Sequence, residues 1–244
     1  MGKSRLMALV AISAFLLPHR ATAQGKKYAL ESAEGLVLQN VAVEPVTFQG
    51  KKGLKLTLSD ETKRQLERLT PEERNQRFVD QLAQIKDLQF SSGDIEVELA
   101  GAPAPDAPPG ARGFVGIAFR VQPDHATYDA FYLRPTNGRA DDQERRNRSV
   151  QYISQPEWPW FRLRKETPAK YEAYVDLVPG EWTRIKIEVR GDRARLYVHG
   201  SEQPTLLVND VKTGAQATGG VALWLDTGTI AHFRNLTVNA MPSR

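Results

Sequence analysis

The stretch "WTRIKIEVRGDRARLYVH", Trp182 to His199, decides the reading of the chain. Ile185, Ile187 and Val189 alternate with Arg184, Lys186 and Glu188, a period of two that puts apolar groups on one face of a strand. Gly191-Asp192 then supplies a tight turn, and Ala194, Leu196 and Val198 repeat the alternation on the way back. Two strands with one greasy face each must pair antiparallel and bury that face on another layer.

Working outward, the same signature recurs. Val221, Leu223 and Leu225 point in, leaving Ala222, Trp224 and Asp226 out, and Phe233 to Val238 closes the domain. Upstream lie Val150 to Ser154, Tyr128 to Arg134 and Phe114 to Val121. Ile95, Val97 and Leu99 alternate with Asp94, Glu96 and Glu98. Val46-Thr47-Phe48 and Leu54 to Leu58 flank a glycine-bearing turn, residues 49–53. Many short strands separated by turns, with no fixed-period repeat, predict an all-β sandwich or barrel. Residues 101–113 are a proline-rich surface loop and 135–148 a polar, charged one.

One segment breaks the pattern. Thr70-Pro71-Glu72-Glu73 is a helix start, with a capping hydroxyl, a proline at the first position and acids in the first turn. Phe78, Leu82 and Ile85 follow on one helical stripe, and a shorter helix over about 61–69 precedes them. The expectation is a helical insertion at about 60–88 that props a sheet edge or covers a cleft.

The first 23 residues read as a signal peptide: Lys3 and Arg5, an apolar run from Leu6 to Leu17, and Ala21-Thr22-Ala23 before Gln24. The run is too short to span a bilayer. Residues 24–244 are then one sandwich domain in a bacterial periplasm or exterior, unattached to a membrane once the leader is removed. The chain has no cysteine, which excludes a lipidated anchor and a disulfide framework. Lys3, Arg5 and Arg20 belong to the leader, so the remainder carries 30 basic against 29 acidic residues. A near-neutral domain has no global attraction to nucleic acid.

The outward faces are not ordinary solvent surface. On Phe114 to Val121 that face carries Phe114, Gly116, Ala118 and Arg120. On the neighbouring strands it carries Tyr128, Ala130, Tyr132 and Arg134, and then Ala222, Trp224 and Asp226. Small residues leave a trough, rings give flat plates, and guanidiniums give forked donors. Such a trough suits a sugar, with its apolar C–H face and polar rim; its alternative is a second packing layer under loops. The strand-like run Val150–Ser154 breaks into Pro156-Glu157-Trp158-Pro159-Trp160, and the strand is expected to resume as Phe161-Arg162-Leu163-Arg164. The two prolines present Trp158 and Trp160 at low entropic cost, to a ligand or to the protein's own core.

Nucleophile elbow, phosphate loop and zinc spacing are all missing. His125, His199 and His232 lack metal-ligand spacing, and neither a cofactor nor a structural calcium is indicated. Asp94, Glu96 and Glu98 share a strand face; this suits a carboxylate pair, but also any amphipathic strand at a surface.

Several stretches carry a resemblance: Phe114-Val-Gly-Ile-Ala-Phe-Arg120, Tyr128 to Pro135, Val150 to Ser154 with Pro159-Trp160, Gly180-Glu-Trp182, Leu196 to Gly200 and Phe233 to Val238. Over roughly residues 90–240 they resemble the concanavalin A-like lectin/glucanase superfamily, near the bacterial 3-keto-disaccharide hydrolase domains. That resemblance implies a jelly-roll β-sandwich of two antiparallel sheets with a carbohydrate or glycoside on the concave face. The strand matching the acid-rich catalytic strand of laminarinase-type glucanases reads Tyr128 to Arg134, with Asp129 as its sole acid and on the core side. Double-displacement chemistry is therefore not expected. Cleavage of a keto-sugar would need one base, with Glu157 and His125 as candidates, and a cation for the enolate, with Arg134 and Arg120 as candidates. Tyr132, Trp158, Trp160 and Trp224 would hold the ring. The resemblance thus implies a glycoside hydrolase, with a non-catalytic glycan-binding module as the alternative; a structural or protein-interaction sandwich is the third reading.

Overall fold

The structure is a computed structural model and describes residues 25–70, 73, 79–107 and 110–241. Among these residues, two antiparallel sheets form a jelly-roll sandwich. The first has eight strands, in the order β13 (Leu206–Val208), β12 (Arg193–Val198), β11 (Thr183–Arg190), β6 (Gly93–Pro103), β15 (Thr229–Ala240), β4 (Lys51–Leu58) and β3 (Val41–Phe48). A short strand, β1 (Lys26–Tyr28), also pairs with β15. The second sheet has seven strands: β10 (Glu172–Ala173), β9 (Val150–Gln155), β8 (Tyr128–Leu133), β7 (Val115–Val121), β14 (Gly220–Leu225), β5 (Leu82–Ile85) and β2 (Leu36–Gln39).

The decisive stretch behaves as its alternation requires. Ile185 pairs with Val198 and Ile187 with Leu196, and all four side chains are buried. The opposite face of β6 and β11 is an ion-pair ladder. Asp94 meets Arg190 at 3.0 Å, Glu96 meets Arg184, and Glu98 meets Lys51 at 3.4 Å and Arg234 at 3.5 Å. The three acids are thus spent on surface pairing.

Register in the second sheet sorts its residues into two faces. Val115, Ile117, Phe131, Leu133, Tyr152, Val221, Leu223 and Leu225 point between the sheets. The other face carries Gly116, Ala118, Ala130, Tyr132, Gln151, Ala222 and Trp224. It is buried as well, since every residue of β7, β8, β9 and β14 is buried. The trough of small residues is therefore largely a second packing layer. Gly116 shows how tight it is: a Cβ there would stand 2.2 Å from the Phe131 carbonyl oxygen.

Three expectations change. A helix, α1 (Asp60–Glu67), does form, capped by the Ser59 side chain. Thr70 and Glu73 make the expected capping box, with Thr70 N and Oγ1 donating to Glu73 Oε2 at 2.9 and 3.0 Å. The rest of the second expected helix up to Phe78 lies outside the described residues, as does the leader. Leu82 and Ile85, however, are strand: β5 pairs with both β14 and β2. A spacing of three over four residues does not discriminate, and two waiting strand edges decide it. Phe161–Arg164 is not strand but part of a helix, α3 (Trp160–Glu166), which Pro159 precedes at the N-cap. The charged loop holds a 3₁₀ turn (Pro135–Asn137) and a one-turn helix, α2 (Gln143–Arg146).

Candidate functional site

At the end of the second sheet where β8 and β14 finish, the roof is incomplete. A cleft of about 250 Å³ opens there, lined by Arg112, Phe114, Arg134, Trp160, Arg164 and Asp226 among others. Asp226 follows the last residue of β14 and Arg134 the last of β8. Trp160 comes from the first turn of α3, which is anchored by Leu163, 1% exposed. Strand ends and one short helix therefore aim the polar groups, and a packed stack of rings supports them. Tyr132 stacks on Trp224 with centroids 4.7 Å apart, and Phe114 lies 5.4 Å from Tyr132.

Arg134 is the centre of the polar arrangement. It is 2% exposed, and its guanidinium carbon lies 5.1 Å from the Phe114 ring and 5.2 Å from the Tyr132 ring. Its Nη2 donates to Tyr132 Oη at 2.8 Å and to Gln151 Oε1 at 2.9 Å, while Nη1 lies 3.5 Å from Glu172 Oε1. Its Nε is buried and has no hydrogen-bond partner among the described residues. Asp226 is half-buried, and among the described residues it makes no ion pair within 4.0 Å. Burial raises its carboxyl above the ordinary range, opposed by the Thr227 N–H and by the charge of Arg134. Trp160 keeps 39% of its surface exposed and carries Arg164 4.6 Å from its ring.

Of the residues singled out from sequence, the structure brings Arg134 and Trp160 together in this cleft. Tyr132 and Trp224 lie beneath it, 1% and 3% exposed. The others are elsewhere. Trp158 is clamped between Arg162, 3.8 Å from its ring, and Lys212, 4.6 Å away. Glu157 is exposed on the same loop and meets Arg162 at 3.6 Å. His125 sits in the β7–β8 turn, at the far end of β8.

Arg120 is corrected outright. It is the extra residue of a β-bulge opposite Gly220/Val221, with φ +56°. A bulge resets alternation, and its side chain donates to the carbonyls of Ser91, Gly191 and Gly214 and to Thr213 Oγ1. It is fully buried. Asp226 is the group that sequence reasoning placed on the outward face without giving it a role. The chain did not show that Asp226 would be half-covered opposite Arg134. Among the described residues no group of three or more His, Cys, Asp or Glu is arranged to hold a metal, and no helix is long and apolar enough to cross a membrane.

No protein-family model and no curated protein matches the chain in sequence. Solved structures do match in shape. The Crh5 transglycosylase in complex with NAG aligns at TM-score 0.51 and 10% identity, covering 91% of this chain and 86% of that one. The shared fold is a jelly-roll sandwich of two antiparallel sheets. The carbohydrate binding module CBM66 from Bacillus subtilis aligns at TM-score 0.48 and 13% identity over 82% of this chain and 94% of its own. A putative glycosyl hydrolase from Parabacteroides distasonis ATCC 8503 aligns at 0.48 and 12% over 93% and 99%. At these identities the likeness concerns the fold alone.

Proposed function

We propose that this chain is a secreted carbohydrate-recognising jelly roll that holds a glycoside in the cleft between Trp160 and Arg134. The observation that carries the reading is the pairing of a partly exposed indole plate with a buried guanidinium whose Nε has no partner among the described residues, both side chains lining one opening. The plate matches the C–H face of a sugar ring, and the guanidinium and Asp226 match its hydroxyls. At about 250 Å³ the cleft falls just below the range of about 300–1,000 Å³ usual for small-ligand sites, so it suits one ring and a substituent. Export rests on the leader expected at residues 1–23. Calorimetric titration of the mature protein with a panel of monosaccharide glycosides tests the site. Trp160→Ala is expected to weaken binding at least tenfold with the fold intact; unchanged affinity removes the cleft from consideration.

A second reading, an enzyme acting on 3-keto-glycosides, is favoured by Asp226. Hydrolysis by the two-carboxyl routes needs a pair, and Asp226 is the one acid among the described residues lining the cleft. Elimination needs one. Asp226 would take the proton from C2, acidified by the C3 ketone, while Arg134 balances the enolate oxygen. The enolate electrons then expel the glycosidic oxygen from C1, which leaves with the proton held by Asp226, and water adds across the C1–C2 double bond. Aglycone release from a 3-keto-glucoside by the wild type, lost in Asp226→Asn while binding persists, is the expected result. Binding without release returns the chain to the binding module.

A further inference from the structure

Resting on that glycoside reading, we infer that the ligand of this cleft carries an anionic group, a carboxylate or a sulfate, and that Arg112 and Arg134 receive it. The charges around the cleft do not balance without one. Among the described residues, Arg112, Arg134 and Arg164 line it against a single carboxyl, Asp226. Glu172, 6% exposed at its side chain, is shared by three guanidiniums: Arg164, Arg134 at 3.5 Å and Arg148 at 3.3 Å. One buried carboxylate cannot neutralise three cations. Arg148 finds a second acid, the exposed Glu144. Arg145 finds neutral oxygens, at 3.4 Å from Asn137 Oδ1 and Thr136 O.

Arg112 is left with no ion pair and no side-chain hydrogen bond to the described residues, although it is partly buried on the cleft wall. Burial, and the charges of Arg145, Arg134, Arg164 and Arg148, push its pKa below the arginine value. A guanidinium gathered among four others is unfavourable in the empty cleft and becomes favourable when an anion enters. Arg134 lines the same cleft, and its buried Nε has no hydrogen-bond partner among the described residues. The anion recognised here is part of a sugar, because the Trp160 plate beside the cations is built for a ring and not for a free ion.

The test compares a methyl glucuronide, a methyl glucoside 6-sulfate, the neutral methyl glucoside and inorganic sulfate alone, by calorimetry on the mature protein at low and moderate salt. One or both anionic glycosides should bind at least tenfold tighter than the neutral one, and which of them leads identifies the acid group. The preference should shrink as salt rises, and Arg112→Ala or Arg112→Gln should lower the ratio of anionic to neutral affinity at least threefold. Equal or tighter binding of the neutral glucoside overturns the inference and leaves the glycoside reading standing. Inorganic sulfate binding as tightly as the charged sugars overturns it as well, since the ring then contributes nothing. No binding by any of the three glycosides overturns both readings.

Discussion

At the scale of single residues, one buried and one half-buried titratable group pull stability in opposite directions. His232 stacks on Phe48 at 3.8 Å, and burial first and the charge of Lys55 second hold its pKa down to about 4. The native state then binds fewer protons than the unfolded chain between pH about 6.5 and about 4. Stability from this group is present above that window and is lost as pH falls through it. Asp80 is the reverse: burial raises its carboxyl to about 6, against the hydrogen bond from Tyr128 Oη at 2.8 Å. Its contribution is present below the unfolded carboxylate value and is lost as pH rises through about 6. Urea midpoints measured from pH 7 to 4 should fall less steeply in His232→Gln than in the wild type, and more steeply in Asp80→Asn. An unchanged slope in both variants would assign the acid sensitivity to other groups. Neither shift was readable from the chain, because a pKa depends on what covers the group.

At the scale of elements, α3 (Trp160–Glu166) sets the position of the cleft's plate. Leu163 is its sole buried residue, and Arg164 ties it to Glu172 on β10. Leu163→Ala should cost about 2–4 kcal/mol by leaving a cavity. It should also weaken glycoside binding although Leu163 does not line the cleft. Loss of stability in chemical denaturation with affinity retained would mean that Trp160 does not depend on this anchor. In β7 (Val115–Val121), Gly116→Ala should destabilise by about 1–3 kcal/mol, since the new methyl meets the backbone of β8 and overpacking is not relieved by rotation. A midpoint within error of wild type would show that β7 and β8 can separate locally. Element type was legible wherever alternation ran for six residues or more, as in β11 and β12. It failed at Phe161–Arg164 and Leu82–Ile85, where four residues fit either period and the neighbouring strands or a preceding proline decided the outcome.

At the scale of the molecule, Arg120 ties the two sheets together at one end, and the cleft opens at the other end, on the outer face of the second sheet. Arg120 leaves β7 of one sheet and donates at 2.7 Å to the Gly191 carbonyl in the β11–β12 turn of the other. Nearby, Asp129 is buried between the layers, accepts from Tyr152 Oη at 2.6 Å and from Thr213 Oγ1, and burial raises its carboxyl above the ordinary range. Arg120→Ala should cost about 3 kcal/mol or more, leaving three part-buried carbonyls without their donor, with no specific effect on glycoside affinity in the folded fraction. A stable variant with weakened binding would instead return Arg120 to the ligand site.

Periodicity of two along Trp182–His199 and its neighbours determined by itself that this is an all-β chain with a buried face on each strand. It also determined that Arg134 and Trp224 share the opposite face of their sheet, because pleat direction is a local property. Tertiary structure alone decided that this second face would be roofed over most of its length and open at one end. Coverage depends on where distant segments pack, which no local pattern encodes. The same applies to Arg120, turned to the fold by a single bulge, and to Asp226, which became a shielded carboxyl only when Arg134 and α3 were assembled around it.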